Sequence, residues 1–169
     1  GFQAGEYLKQ LGHKKALCIS DNFICMDKER IEGFGEAFAP GEVVVWLIPK
    51  FQKERKLFYE KKFAEFLDNN ITAVFAVSDH YALDLMHFLQ EKGIKIPDDI
   101  QMIGFDDNAA SRESRPALTT IRQDPVLRAK SAIECIEAMR DGRNCEEKIL
   151  LPVELIKRES TRELSCQNL

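Results

Sequence analysis

Residues 72–106 read TAVFAVSDHYALDLMHFLQEKGIKIPDDIQMIGFD, and this stretch decides the fold. Residues 72–77 form an apolar run rich in β-branched and aromatic side chains, short enough for a buried strand. Ser78-Asp79 follows at its carboxyl end, where Asp79 is placed to cap a helix over 81–92. Within that helix Ala82, Leu85, Met86 and Leu89 recur at the spacing of one inward face. Gly93 supplies the helix stop, Ile96-Pro97-Asp98-Asp99 introduces a turn, and 100–105 reads as a second apolar strand. A strand, a crossing helix and a second buried strand make a βαβ unit, whose two strands run parallel.

The same alternation extends outward in both directions. Upstream, residues 2–11 have helical spacing and stop at Gly12, and 16–19 is a short buried strand. Asp27 can cap a helix running to about residue 38, with Ile31, Phe34 and Phe38 on one face. Pro40-Gly41 ends it, 43–48 is the next strand, and 53–67 is a helix with Leu57, Phe58, Phe63, Phe66 and Leu67 as its buried stripe. Downstream, an irregular stretch to Pro116 leads to an extended 118–121. Pro125 then opens a helix to about residue 139. Extended pieces at 149–151 and 153–156 follow, with a mobile tail expected from Ser160. The fold class is therefore α/β, a Rossmann-like parallel sheet with helices on both faces.

Composition narrows the function. The chain has 169 residues, 44% apolar and 31% charged, the profile of one globular domain. Its 24 Lys+Arg against 28 Asp+Glu give a net charge of −4. That balance argues against gripping nucleic acid by bulk electrostatics. No apolar run approaches the roughly 20 residues of a membrane span. The five cysteines form no Cys-x-x-Cys pair, and an odd, scattered set points to a reducing cytosol rather than a disulfide framework. Cys18 and Cys135 sit among apolar neighbours as buried hydrophobes. Residues 1–13 lack the basic start and apolar core of a secretory signal.

In open α/β sheets ligands bind beyond the carboxyl ends of the strands. The residues that follow the strands are Ser20-Asp21-Asn22, Lys50-Phe51, Ser78-Asp79 and Asp106-Asp107. Polar and carboxylate groups beside one aromatic suit a hydroxyl-rich small molecule, the ring covering an apolar face and the carboxylates accepting hydrogen bonds. No glycine-rich phosphate loop or Gly-x-Ser-x-Gly elbow is present, so Ser78 reads as a strand-end polar residue rather than a nucleophile. His80, Asp84 and His87 share a helical face that could hold a metal, but nothing completes a tetrahedral shell, and a solvated polar face is the expectation. His13 is expected to cap a helix end or face water. Of the adjacent Asp106 and Asp107, one should face the cleft and the other bond the loop backbone. Arg30, on a helix whose neighbours face the core, is either a ligand-binding fork or a surface ion-pair partner.

The combination of these residues resembles the effector core of the lactose/galactose repressor family. The likeness rests on Arg30-Ile31-Glu32-Gly33-Phe34, Ser78-Asp79, Ile96-Pro97-Asp98-Asp99 and Ile103-Gly104-Phe105-Asp106-Asp107. Pro116-Ala117-Leu118-Thr119-Thr120-Ile121, Gln123 and the closing Leu151-Pro152-Val153-Glu154 through Ser160-Thr161 extend it over nearly the whole chain. The segment 21–27 departs from the family's usual Ser/Thr/Arg-bearing loop, and the helix after Phe51 is longer than usual.

The resemblance implies a periplasmic-binding-protein-like fold of two lobes that close around a small-molecule effector, usually a sugar. By motif, Arg30 and Asp106 match the family's ligand-binding arginine and aspartate. Ser78 matches a polar ligand contact, Phe51 a stacking aromatic, and Gln123 a hinge crossing. Residues 1–121 correspond to the C-terminal lobe, 122–150 to a segment returning to the N-terminal lobe, 151–160 to the closing strand and 161–169 to a tail. It further implies a cytoplasmic homodimer that reaches operator DNA through an N-terminal head outside this chain. Membrane contact, cofactor, metal and catalysis are not expected. The competing expectation is an exported sugar-binding protein of the same fold, and a small hydrolase built on Ser78 is the rival from a different class.

Overall fold

The computed structural model describes residues 1–146 and 148–162. Six helices and six strands alternate along it, and every element of the central βαβ unit forms. The strands are β1 (Lys15–Ser20), β2 (Glu42–Leu47), β3 (Ala73–Ala76), β4 (Gln101–Asp106), β5 (Thr119–Gln123) and β6 (Val153–Ile156). The helices are α1 (Phe2–Gln10), α2 (Cys25–Phe38), α3 (Gln52–Asp68), α4 (Asp79–Glu91), α5 (Ala109–Glu113) and α6 (Pro125–Arg140). All strands join one sheet in the order β2-β1-β3-β4-β5-β6. The first five run parallel, and β6 returns antiparallel to β5, pairing Ile121 with Leu155 and Gln123 with Val153.

Strand alternation divides the core in two, because successive side chains leave a strand on opposite faces. Ala16, Cys18, Phe75, Ile103 and Phe105 meet Leu8 of α1 and Ile31, Phe34 and Phe38 of α2. Leu17, Ile19, Val74, Ala76 and Met102 meet Tyr59 and Phe66 of α3 and Leu85, Met86 and Leu89 of α4. The rings of Phe34 and Phe75 stack at 5.0 Å, fastening α2 to the middle of the sheet. Gly104 is required where β4 passes α4: a Cβ there would stand 2.3 Å from the Asp79 carboxylate.

Several local expectations are corrected. Asp27 does not cap α2, which starts two residues earlier with Ile24 as N-cap and no side-chain cap bond. Ser78, not Asp79, caps α4 by accepting the His80 N–H. The stripe expected on α3 forms in part: Phe66 is buried and Phe58 and Phe63 pack against the core, but Leu57 is 59% and Leu67 49% exposed, while Tyr59 and the charged Arg55 are buried. An arginine inside an apolar face shifts the apparent helical phase, which hydrophobicity alone cannot register. Residues 149–151 form no strand. Cys135 is half-buried rather than a core residue.

The expected mobile tail is also corrected where it is described. Ser160 is buried, its hydroxyl donating to Met102 O at 2.6 Å and accepting the Thr119 N–H at 2.8 Å. Thr161 is hydrogen-bonded to the Thr119 hydroxyl. Residues 163–169, with Cys166, lie outside the described residues. Helix α6, by contrast, joins neither apolar cluster and leaves Val126, Ile133, Ile136 and Met139 exposed.

Candidate ligand-binding site

The parallel strands bring the residues that follow them to one edge of the sheet. Arg30 projects from α2 across the end of β3. Its guanidinium lies 3.9 Å over the Phe105 ring, and Nη1 donates to Val77 O at 2.9 Å. Stacking on an aromatic and a carbonyl anchor fix the plane of the fork, which limits the entropy lost when a ligand is bound. Nη1 also stands 3.5 Å from Asp27. Both of these hydrogen bonds use Nη1, so among the described residues Nε and Nη2 are not engaged.

Asp106 ends β4 at φ +119° and Asp107 follows at φ +56°, a left-handed turn that points the two carboxylates to different places. Asp106 opens to solvent and accepts from Gln123 Nε2 at 2.9 Å. Its carboxyl is raised above its usual value by the surrounding protein, against the opposing pull of the Arg30 charge and the Gln123 hydrogen bond. Asp107 turns inward, where its carboxylate is bound by Arg158 and lies 3.3 Å from Arg112. The expected bond from Asp107 to the loop backbone is thus replaced by charge pairs. Arg158 also donates to Leu118 O at 2.9 Å, tying the closing segment to the loop before β5.

Beneath this edge lies Asp79, fully buried. It accepts from the Thr120 hydroxyl at 2.5 Å and from the Asn108 N–H at 2.9 Å. Burial raises its carboxyl above the usual value despite these bonds. Asp79 is therefore a strut between α4, β5 and the loop that presents Asp106, and it does not itself reach the cleft.

On the other side of Arg30, Ser20 and Asn22 donate to Asp27 at 3.1 and 3.0 Å, ordering the segment after β1. Tyr81 of α4 stands beside Asp21, and its phenol is pushed up to about 12 by burial and then by the Asp21 charge and hydrogen bond. Asp27, expected only as a helix cap, and Tyr81 and Phe105 were not among the ligand-site residues expected from the sequence. Phe105 alone carried a signal, since it alternates with Gly104 onto the α2 face next to Arg30.

An open groove of about 640 Å³ contains Arg30, Phe105, Gln123, Arg128 and Lys148. It is lined without Asp106, Ser78 or Phe51. The Ser78 hydroxyl is occupied at the α4 cap, although the preceding carbonyl holds Arg30. Phe51 is 67% exposed in the loop after the edge strand β2, which β1 separates from β3. Arg30 and Gln123 thus line one groove, Asp106 adjoins it through its hydrogen bond with Gln123, and Ser78 and Phe51 lie outside it.

The other sequence candidates have structural partners. Arg55 is buried and donates to Asp84 at 2.7 Å and to Lys50 O at 2.9 Å, and it contacts His80 Nε2 at 2.9 Å. His80 and His87 are exposed, as expected of a solvated polar face, while His80 and Asp84 also contact the buried Arg55 and so tie α4 to α3. His13 is also buried, its Nδ1 2.9 Å from the Thr72 hydroxyl, and its imidazole pKa is lowered by burial. No group of three or more potential metal ligands occurs among the described residues.

A parallel sheet with an aromatic-backed arginine and a carboxylate at its carboxyl edge is an arrangement suited to small polar molecules. The chain belongs to the periplasmic binding protein-like domain family, which matches residues 6–161. It is 32% identical over 171 residues to the HTH-type transcriptional repressor PurR of Vibrio cholerae, covering 98% of this chain and 51% of that protein. It is 34% identical over 170 residues to the HTH-type transcriptional regulator DegA of Bacillus subtilis, covering 98% and 50%. Among solved structures, a LacI family transcriptional regulator from Enterococcus faecium with bound ribose superimposes with a TM-score of 0.79 at 31% identity. That match covers 97% of this chain and 62% of the other. The chain therefore spans about half the length of the curated relatives it matches. The resemblance to the lactose/galactose repressor family and the α/β fold expected from it are both borne out. No helix among the described residues is long and apolar enough to cross a membrane.

Proposed function

We propose that this chain is the effector-binding lobe of a bacterial transcriptional regulator, and that its effector is a sugar or similar polyol. The observation that carries the reading is Arg30: stacked on Phe105, anchored on Val77 O, and left with Nε and Nη2 to donate. Asp106, one side held by Gln123, supplies the complementary acceptor. An arginine fork opposite a carboxylate recognises neighbouring hydroxyls, which both donate and accept. Bound ribose in the Enterococcus faecium relative supports a pentose as the first probe.

In this reading residues 1–121 form the C-terminal lobe, with 151–160 as its closing strand, while 122–150 pack into a second lobe. The exposed Val126, Ile133, Ile136 and Met139 of α6 support that division, because an apolar face of this size calls for a covering surface. Closure of the two lobes around the effector shifts the population between two arrangements of a homodimer. Operator DNA is contacted by a separate head, in keeping with the mild negative charge of this lobe. The protein works in the cytoplasm and is not an enzyme. Its repressor relatives support regulation over export to a transporter.

The test is a thermal-shift and calorimetric screen of pentoses and hexoses, D-ribose first, on the complete protein, followed by operator binding with and without the hit. A sugar that raises Tm and changes operator affinity is expected. Turnover of an ester or amide substrate abolished by Ser78→Ala, with no sugar bound, would overturn the proposal.

A further inference from the structure

Helix α6 ends in a turn that folds the following chain back onto its own last turns. Asp141 N–H donates to Glu137 O at 3.0 Å, Gly142 N–H to Met139 O at 3.2 Å and Arg143 N–H to Ala138 O at 2.8 Å, with Gly142 at φ +67°. From Ala138, three residues back along the helix rise about 4.5 Å and reach Cys135. From Arg143, two residues of extended chain cover about 6.6 Å and reach Cys145. The reversal therefore brings both cysteines to the same level of the helix.

Two further observations agree. Cys135 and Glu146, the residue after Cys145, line the same cavity of about 600 Å³, and the Cys145 thiol points along this wall to Glu146 O at 3.6 Å. Both thiols are free and half-buried. The Cys135 thiol is raised from its usual value first by a hydrogen bond with Cys145, in keeping with the two cysteines lying side by side.

We propose that Cys135 and Cys145 are a redox-reactive pair that closes to an intrachain disulfide on exposure to a hydroperoxide. The Cys145 thiolate attacks the distal peroxide oxygen. The O–O bond breaks, the alkoxide leaves and takes a proton as the alcohol, and Cys145 becomes a sulfenic acid. Cys135, as thiolate, then attacks that sulfur, and hydroxide leaves as water with the proton Cys135 released. In sum, two thiols and one hydroperoxide give one disulfide, one alcohol and one water. The bond fastens to α6 the chain that leads into Lys148 and Leu150, which line the groove with Arg30. Arg128 borders both cavities, so oxidation acts on the wall beside the ligand groove.

The remaining described cysteines differ in kind. Cys18 is fully buried, and burial pushes its thiol far up, which keeps it inert. Cys25 is exposed at the start of α2 and serves as an internal control for oxidant dose.

The protein, reduced and freed of reductant, is treated with tert-butyl hydroperoxide, alkylated and digested with trypsin without reduction. Cleavage after Lys130, Arg140, Arg143 and Lys148 puts the cysteines in separate peptides, residues 131–140 and 144–148. The expected product is these two peptides joined, two hydrogens lighter than their sum and separated by dithiothreitol. In Cys135→Ser the joined species is lost and dimedone labels Cys145. The proposal is overturned if both thiols remain alkylatable at a dose that has consumed Cys25. It is equally overturned if Cys135 is found linked to another cysteine or to a second chain.

Discussion

Alanine at Asp106 and at Asp79 separates binding from stability, although the two carboxylates belong to one corner of the sheet. Asp106 is open to solvent beside the groove, and Gln123 is its hydrogen-bond partner among the described residues. Removing it takes away the charged acceptor for ligand hydroxyls. A charge-assisted hydrogen bond contributes about 1.5–3 kcal/mol, so Asp106→Ala is expected to weaken effector binding roughly 10- to 150-fold. Tm in the absence of effector should change little, because no buried donor is orphaned. Asp79→Ala does the opposite. It strands the fully buried Thr120 hydroxyl, at about 1–3 kcal/mol, and takes the acceptor from the part-buried Asn108 N–H, at about 0.5–1.5 kcal/mol. For a domain of this size that lowers Tm by about 5–15 °C. Affinity should fall much less when measured well below the lowered Tm. Differential scanning fluorimetry reads the stabilities and isothermal titration with the sugar found in the screen reads the affinities. An Asp79→Ala protein within about 2 °C of wild type refutes the strut, and equal affinity losses for the two variants refute the division of roles.

Three other outcomes follow from the same contacts. Gly104→Ala forces a Cβ to 2.3 Å from the Asp79 carboxylate and 2.8 Å from Leu118, and should destabilise by about 1–3 kcal/mol, read by urea unfolding. Arg55→Ala leaves Asp84 without its partner at 2.7 Å and should lose about 3 kcal/mol, whereas the double change Arg55→Met with Asp84→Leu should recover most of it. Because burial raises Asp79 above its ordinary 3.8, the folded chain holds this proton over a pH window in which the unfolded chain has lost it. That contribution is complete below the unfolded value and disappears as pH rises through the folded one, so the Tm gap between wild type and Asp79→Asn should be wider near about pH 4 than near about pH 7.

The elements of the fold were legible because their signals are local. The run 72–77, the apolar face of α4 and the stop at Gly93 need no partner to be recognised, and alternating strands and helices leave few arrangements besides a parallel sheet. The motifs and the rule for strand ends singled out Arg30 and Asp106, and the structure places both at one edge of the sheet. Phe105 as the platform for Arg30, and Tyr81 beside Asp21, were not legible. Each depends on two elements far apart in sequence meeting at a particular height.

The failures have the same origin. Arg55 reads as an exposed helix residue until α4 supplies Asp84 and His80 to receive it. Asp79 and Ser78 exchanged roles because a fully buried hydroxyl, Thr120, arrives 41 residues later to claim the carboxylate, leaving the cap to serine. Ser160 looked like the start of a tail, yet β4 and β5 provide its partners. The sequence by itself determined the α/β class, the order of the elements and the edge where polar groups gather, since each follows from periodicity and turn chemistry along the chain. Only the tertiary structure decided which polar groups stay open at that edge and which brace the frame. A hydrogen-bonding side chain takes whichever partner packing delivers within about 3 Å, and that partner is set by three-dimensional neighbours rather than by adjacent residues.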